Sequence, residues 1–210
     1  MSRYESLISE NLKTAWSRGR DTLTRSLPAL AEGEALSFRA FGGDCRITPE
    51  SVAVDGIPES GPRALVISMY AANVREGPMV VEPFLSFRDF KDGAPYQGAF
   101  VANAERPLVP HVPRLKDAGG DILEALGEGV TQVEAQGDFS LLVLPFPKIA
   151  LHYIFYLPDE DFPASVTCLF SRNAPVFMPV DGLADTAEYT SKKVVELLAR
   201  PSGTDAGGDR

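Results

Sequence analysis

The chain has 210 residues, 44% of them apolar and 23% charged, which fits one large domain with its own core and excludes wholesale disorder. Lys and Arg number 20 against 29 Asp and Glu, a net charge of −9. Phosphate backbones and anionic membrane surfaces repel such a chain unless it carries a basic cluster, and the densest clusters, Arg18–Arg20 and Lys192–Lys193, are too short to count, so neither nucleic acid nor membrane is expected as a partner.

Residues 2–17 predict a helix. Ser2 and Glu5 have the spacing of a capping box, and Tyr4, Leu7, Ile8, Leu12, Ala15 and Trp16 fall on one apolar face, with Gly19 as the stop. A weaker helix is predicted over 21–31, with Leu23, Leu27 and Leu30 on one side and Pro28 straining or ending it. The period then shortens to two. Leu36–Phe41 and Cys45–Thr48 read as strands joined by a turn at Gly42–Asp44, Ser51–Val54 as a third ended by Asp55-Gly56, and 57–62 as a loop. Arg63–Val74 predicts a buried helix, Met79–Phe87 an extended segment and 88–98 irregular chain.

Gln97–Asn103 and Ala118–Leu126 look helical, the second with Ile122, Leu123 and Leu126 on one face. Val130–Ala135, Ser140–Pro145, Ile149–Leu157 and Ala164–Phe170 are strand candidates whose short connections imply antiparallel neighbours. Both alternating sets of Ile149–Leu157 are mostly apolar, which predicts a central strand covered on both faces. Asp181–Arg200 predicts a closing helix with Ala184, Ala187, Val194, Val195 and Leu198 inward, stopped by Pro201. The expected architecture is α+β: a largely antiparallel sheet with helices packed on it, a helix at each end, one domain over 1–200 and a disordered tail over 201–210.

Cys45 and Cys168 are too few for a four-thiolate zinc or iron–sulfur site and lie in apolar, strand-like stretches. Buried free thiols are expected, with a disulfide or a reactive thiol as alternatives. No cofactor is predicted. The polar start and the lack of an apolar run near ~20 residues predict a cytoplasmic protein.

Phosphate-binding loops, dinucleotide fingerprints, nucleophile elbows and His-Glu-x-x-His helices do not occur in the sequence. The densest polar feature is Asp159-Glu160-Asp161, which reads as a solvated hairpin turn or as oxygen ligands for a hard cation or a basic ligand. His152, inside the strongest strand, is a core histidine or a general base; His111, between Pro110 and Pro113, is a loop residue. Arg88, beside Asp89 and near Lys91 and Tyr96, is a structural arginine or one that binds a carboxylate or phosphate bidentately.

The order Leu65–Tyr70, then Phe87-Arg88-Asp89-Phe90 with Gly93, Tyr96 and Phe100, then Phe146-Pro147, Asp159–Pro163 and Leu169-Phe170 before a closing helix, resembles the family known as domain of unknown function 3786, found mostly in anaerobic bacteria and archaea. The resemblance covers the chain from the first helix to about Arg200 and rests on order and spacing. It implies no activity. Iron–sulfur or corrinoid proteins of one-carbon metabolism accompany some members, so it implies an accessory role in anaerobic redox or methyl-transfer chemistry. This chain lacks the four-cysteine module of such fusions, and Ser171 stands where the family often has an acid. The positions that match the family pattern are Tyr70, Arg88, Asp159, Glu160 and Asp161.

The sequence therefore predicts a non-catalytic binding or accessory protein with a small-molecule or protein partner, those five residues being its candidate ligand-binding set. The alternative is a metal-assisted hydrolase or transferase that uses His152 with the Asp159–Asp161 carboxylates.

Overall fold

The computed structural model describes residues 3–126 and 137–199. Helix α1 (Arg3–Ser17) buries Ile8, Leu12 and Ala15 against α3 (Pro62–Asn73), where the Asn11 side-chain amide donates to Ser68 Oγ at 3.1 Å. Its apolar face is narrower than the spacing predicts: Tyr4 and Leu7 are exposed, because the first turn projects past the core. Ser2, half of the expected capping box, lies outside the described residues. Gly19 takes φ +84°, open to glycine alone without strain, and ends the helix.

The second helix is a correction. It ends at Ser26, so α2 spans only Arg20–Ser26, and Leu30 is not on its face but exposed in a strand. Pro28 has no N–H to donate to a continuing helix.

Five strands follow as an antiparallel meander in spatial order: β1 (Leu30–Glu32), β2 (Ala35–Ala40), β3 (Gly43–Ile47), β4 (Val52–Val54) and β5 (Ile57–Glu59). Two of the hairpins turn over two residues with both at positive φ, Phe41-Gly42 (+51°, +76°) and Asp55-Gly56 (+53°, +76°). These are the type I′ requirements, and that twist matches the flanking strands. The second turn returns the chain into β5, so the stretch expected as loop from Ile57 begins with an edge strand. Alternation sends Leu36, Phe38, Cys45, Ile47, Val52 and Val54 into the core. Ser37, Arg39, Asp44, Arg46 and Ala53 line the outer face.

After α3 the chain runs irregularly to β6 (Leu85–Ser86), much shorter than the extended segment the sequence predicts. Pro83 cannot contribute to a ladder, and the Asn173 side chain holds this strap instead, accepting from Val80 N (2.8 Å) and donating to Pro78 O (3.0 Å). A 3-10 turn at Phe87–Asp89 leads on to α4 (Gln97–Phe100). A π-helical turn at Val101–Glu105 and a 3-10 stretch at Arg106–His111 then run into α5 (Val112–Leu126). Two separate helices were expected here, with His111 in a loop. The chain instead stays helical throughout, with Pro107 and Pro113 in first turns, where no N–H is required, and Pro110 inside the 3-10 stretch.

The second sheet has the order β6-β9-β8-β7, all antiparallel, from β7 (Phe139–Phe146), β8 (Ile149–Tyr156) and β9 (Ser165–Phe170). As predicted, β8 is interior and buried on both faces up to Tyr156. Ile149, Leu151, Tyr153 and Phe155 face the core under α6 (Val180–Ala199), which buries Ala187, Val194 and Leu198. The predicted strand Val130–Ala135 and the tail after Arg200 lie outside the described residues.

The sheets meet at the β2–β3 turn. Phe41 N donates to Pro145 O at 2.9 Å, and the Phe41 ring packs edge-on against Phe146 at 4.9 Å. One apolar cluster runs from Ile8 to Leu198 through both sheets. The fold is α+β, with antiparallel sheets and helices at both ends. No described helix is long and apolar enough to cross a membrane. Both cysteines are free and buried.

Candidate functional sites

The structure distributes the sequence-predicted residues over separate places. Tyr70 is fully buried in α3, its ring stacked on Phe146 at 4.3 Å. Burial pushes its phenol pKa up, opposed by the Lys148 backbone N–H, so the hydroxyl is neutral. Arg88 is exposed in the 3-10 turn after β6. Asp89 does not order it: that carboxylate closes a capping box with Ser86, whose N–H it accepts at 3.3 Å. Neighbouring Phe87 anchors the turn, stacked on Phe100 at 4.6 Å.

Asp159, Glu160 and Asp161 are exposed in the β8–β9 turn. Asp159 Oδ1 accepts from Asp161 N (2.8 Å) and Phe162 N (2.7 Å), which fixes the turn. Across it, Asp138 Oδ2 accepts from Leu157 N at 2.7 Å. Tyr156 and Phe162 stand out of this frame, 42% and 70% exposed. Together with Asp138, Asp159, Leu157 and Pro163 they line an open groove of about 600 Å³. Among the described residues, no three His, Cys, Asp or Glu side chains converge as they would around a metal ion. Arg88 lies away from this turn. It follows β6, which pairs with the far end of β9 at Leu169 and Phe170, whereas the turn enters β9 at Ser165, roughly 16 Å along an extended strand.

His152 is 1% exposed, on the β8 face away from Tyr153 and tilted against Phe84 at 4.6 Å. Neither ring nitrogen has a hydrogen-bond partner among the described residues. Burial lowers its pKa, opposed in part by the Glu82 charge, so the ring is neutral. Tyr156 lies four residues further along the strand, on the order of 13 Å before the acidic turn begins. Cys45 lies in the first sheet and His152 in the second, both buried. Burial pushes the Cys45 thiol up to about 12, which keeps it protonated at neutral pH.

Two arrangements escape single-sequence reading. One is a buried polar cluster: the Tyr153 hydroxyl meets Ala187 O (3.2 Å) and Ser191 Oγ (3.1 Å), Ser191 donates to Ala104 O (2.6 Å), and Glu105 accepts from Cys168 N (2.9 Å). Its members are far apart in sequence, and only the π-helical turn and α6 bring them together. The other is a groove of about 840 Å³ where the outer face of the β1–β5 sheet meets the β7–β8 turn. Arg46 stands in its floor. The alternation Cys45-Arg46-Ile47 marks Arg46 as outward, but its small neighbours appear only once the strand register is known.

Against this geometry, the chain belongs to the family described as a domain of unknown function (DUF3786), whose profile matches residues 21–193. The match begins after α1 and ends within α6, so it leaves out the first helix that the resemblance was expected to include. No curated protein and no solved structure matches the chain.

Proposed function

We propose that this protein is a non-catalytic accessory module that docks a protein partner through the β8–β9 turn. The observation that carries this reading is Phe162, 70% exposed, which shares with Tyr156 a groove lined by Asp138 and Asp159, while Glu160 and Asp161 stand exposed in the same turn. Aromatic rings held out on a pinned turn are anchors of the kind that dominate interfaces. The carboxylates around them select a segment carrying Lys or Arg, by charge and by cation–π contact. A buried, neutral His152 and a protonated Cys45 favour binding over catalysis, because neither is poised to move a proton or attack a substrate. The family resemblance makes iron–sulfur and corrinoid proteins of one-carbon metabolism the first partners to try.

The test is capture of a partner by the wild type and by Phe162→Ala and Glu160→Lys/Asp161→Lys variants. Asp159 is left intact because its side chain holds the turn. Docking at the turn requires that both variants lose the captured protein and that binding weaken with salt. Equal capture by the wild type and both variants removes the turn from consideration. Loss in Arg88→Ala alone would move the interface to the other end of β9.

A further inference from the structure

Arg46 lies on β3, the middle strand of the five-stranded sheet. The register sets it directly between Ser37 on β2 and Ala53 on β4. Both are small, and cross-strand Cβ atoms on one face are only ~4.5–5.5 Å apart, so the space above the strand on either side of the arginine stays open. Continuing the same row outward, Ser37 pairs with Leu30 on β1, which is 73% exposed. Leu144 and Pro147, both half-buried, line the groove from the β7–β8 side.

The neighbouring cations are occupied. Arg39 binds Asp44 Oδ1 at 2.7 Å and Gly42 O, and Arg63 pairs with Glu59. Asp44 is the carboxylate next along β3 on the face of Arg46; Arg39 takes its side chain, and its backbone N–H is held by Asp55. The Arg46 guanidinium has no hydrogen bond or ion pair to another described residue. Glu32 borders the groove from β1, the edge strand, two residues beyond Leu30. The groove thus presents one free guanidinium fork and one hydroxyl in its floor, between apolar walls, in a volume that suits a small molecule.

We infer that this groove binds a small carboxylate with an apolar body. The carboxylate sits bidentately on Arg46 with Ser37 Oγ as an additional donor, and the body lies against Leu144 and Pro147. A planar fork matches a carboxylate, and Glu32 and Asp44 disfavour ligands of higher charge. This site lies on a different sheet from the β8–β9 turn, so either assignment stands without the other.

The probe is phenylacetate, titrated into the whole chain and followed by amide and arginine side-chain NMR, with 2-phenylethanol as the uncharged control. The expected result is saturable shifts at Ser37, Arg46, Ala53 and Leu144 with phenylacetate, and at least tenfold weaker binding of the alcohol. Arg46→Gln keeps length and polarity on an exposed position and is expected to lose binding at least tenfold with its melting temperature unchanged; Arg46→Lys retains part of it. Equal binding of the alcohol, equal binding by Arg46→Gln, shifts confined to other surfaces, tighter binding of phenyl phosphate, or no shift at millimolar concentration each overturn the assignment.

Discussion

Glu105 offers a sharp test of how the second sheet is closed. β6 covers β9 only opposite Leu169 and Phe170. One residue further, the Cys168 N–H would face the interior alone if Glu105 Oε1 did not accept it at 2.9 Å. The carboxyl sits 9% exposed in the π-helical turn, and burial raises its pKa, with the Cys168 N–H opposing. A raised carboxyl pKa means that the folded state holds the proton more tightly than the unfolded chain. This contribution to stability is fully present below the ordinary value of 4.5 and is lost as the pH rises through the folded value.

Two substitutions separate the hydrogen bond from the charge. Glu105→Leu orphans a buried N–H, at a cost of ~1–3 kcal/mol, or a drop in melting temperature of roughly 2–4 °C per kcal/mol for a chain of this size. Glu105→Gln keeps an acceptor oxygen and never ionises. It is expected to match the wild type near pH 4.5 and to exceed it at pH 8. Urea titrations at pH 4.5, 6 and 8 give both differences. If Glu105→Gln loses as much as Glu105→Leu at pH 8, or follows the wild-type pH slope unchanged, the account of this carboxyl is wrong.

His152 carries the opposite sign. Its folded pKa is lowered by burial, so the stability it confers is present above the ordinary 6.5 and is lost as the pH falls below that value. Because neither nitrogen has a described partner, His152→Leu is expected to match or exceed the wild type at pH 7.5, by up to about 1–2 kcal/mol, and to keep its stability at pH 5.5. A loss above ~2 kcal/mol at both pH values would reveal a partner for the imidazole. A Cβ on Gly93 would run into the Phe87 carbonyl oxygen, so Gly93→Ala is expected to cost about 1–3 kcal/mol by overpacking. Gly98→Ala, with open space around its Cβ, is the matched control; equal urea midpoints for the two would refute the close approach.

Where a single period governed a segment, the sequence was readable. The alternation in Ile149–Leu157 disclosed an interior strand, and the spacing of Ala187, Val194 and Leu198 disclosed the inward face of α6. The failures sit where tertiary context decided. Leu30 continues a helical spacing, yet Pro28 stops that helix and the chain turns into a strand. Ile57 follows an Asp-Gly pair whose positive φ values force a hairpin, although Pro58 argued for a loop. The candidate residues fared similarly. The acidic triplet was legible as a turn because adjacent carboxylates need solvent, whereas Tyr70, although it falls within the predicted buried helix, could not be assigned its stacking partner Phe146, 76 positions away. Arg46 and Glu105 were invisible because their environments are assembled by register and by residues 63 positions away, as in the Glu105–Cys168 contact.

The two sheets also differ in what their assembly demands of the chain. In the first, each strand pairs with its successor, and the turns at Phe41-Gly42 and Asp55-Gly56 close over two residues. In the second, Leu85 pairs with Phe170, and α4, α5, β7 and β8 all lie between them in the chain. Loop-closure entropy grows with the length enclosed, and nonlocal pairing slows folding. The meander is therefore the inexpensive half of the molecule, able to form early from local encounters. Among the described strand pairs, the docking of β6 on β9 encloses the longest stretch of chain, so that two-residue edge carries the largest loop-closure cost.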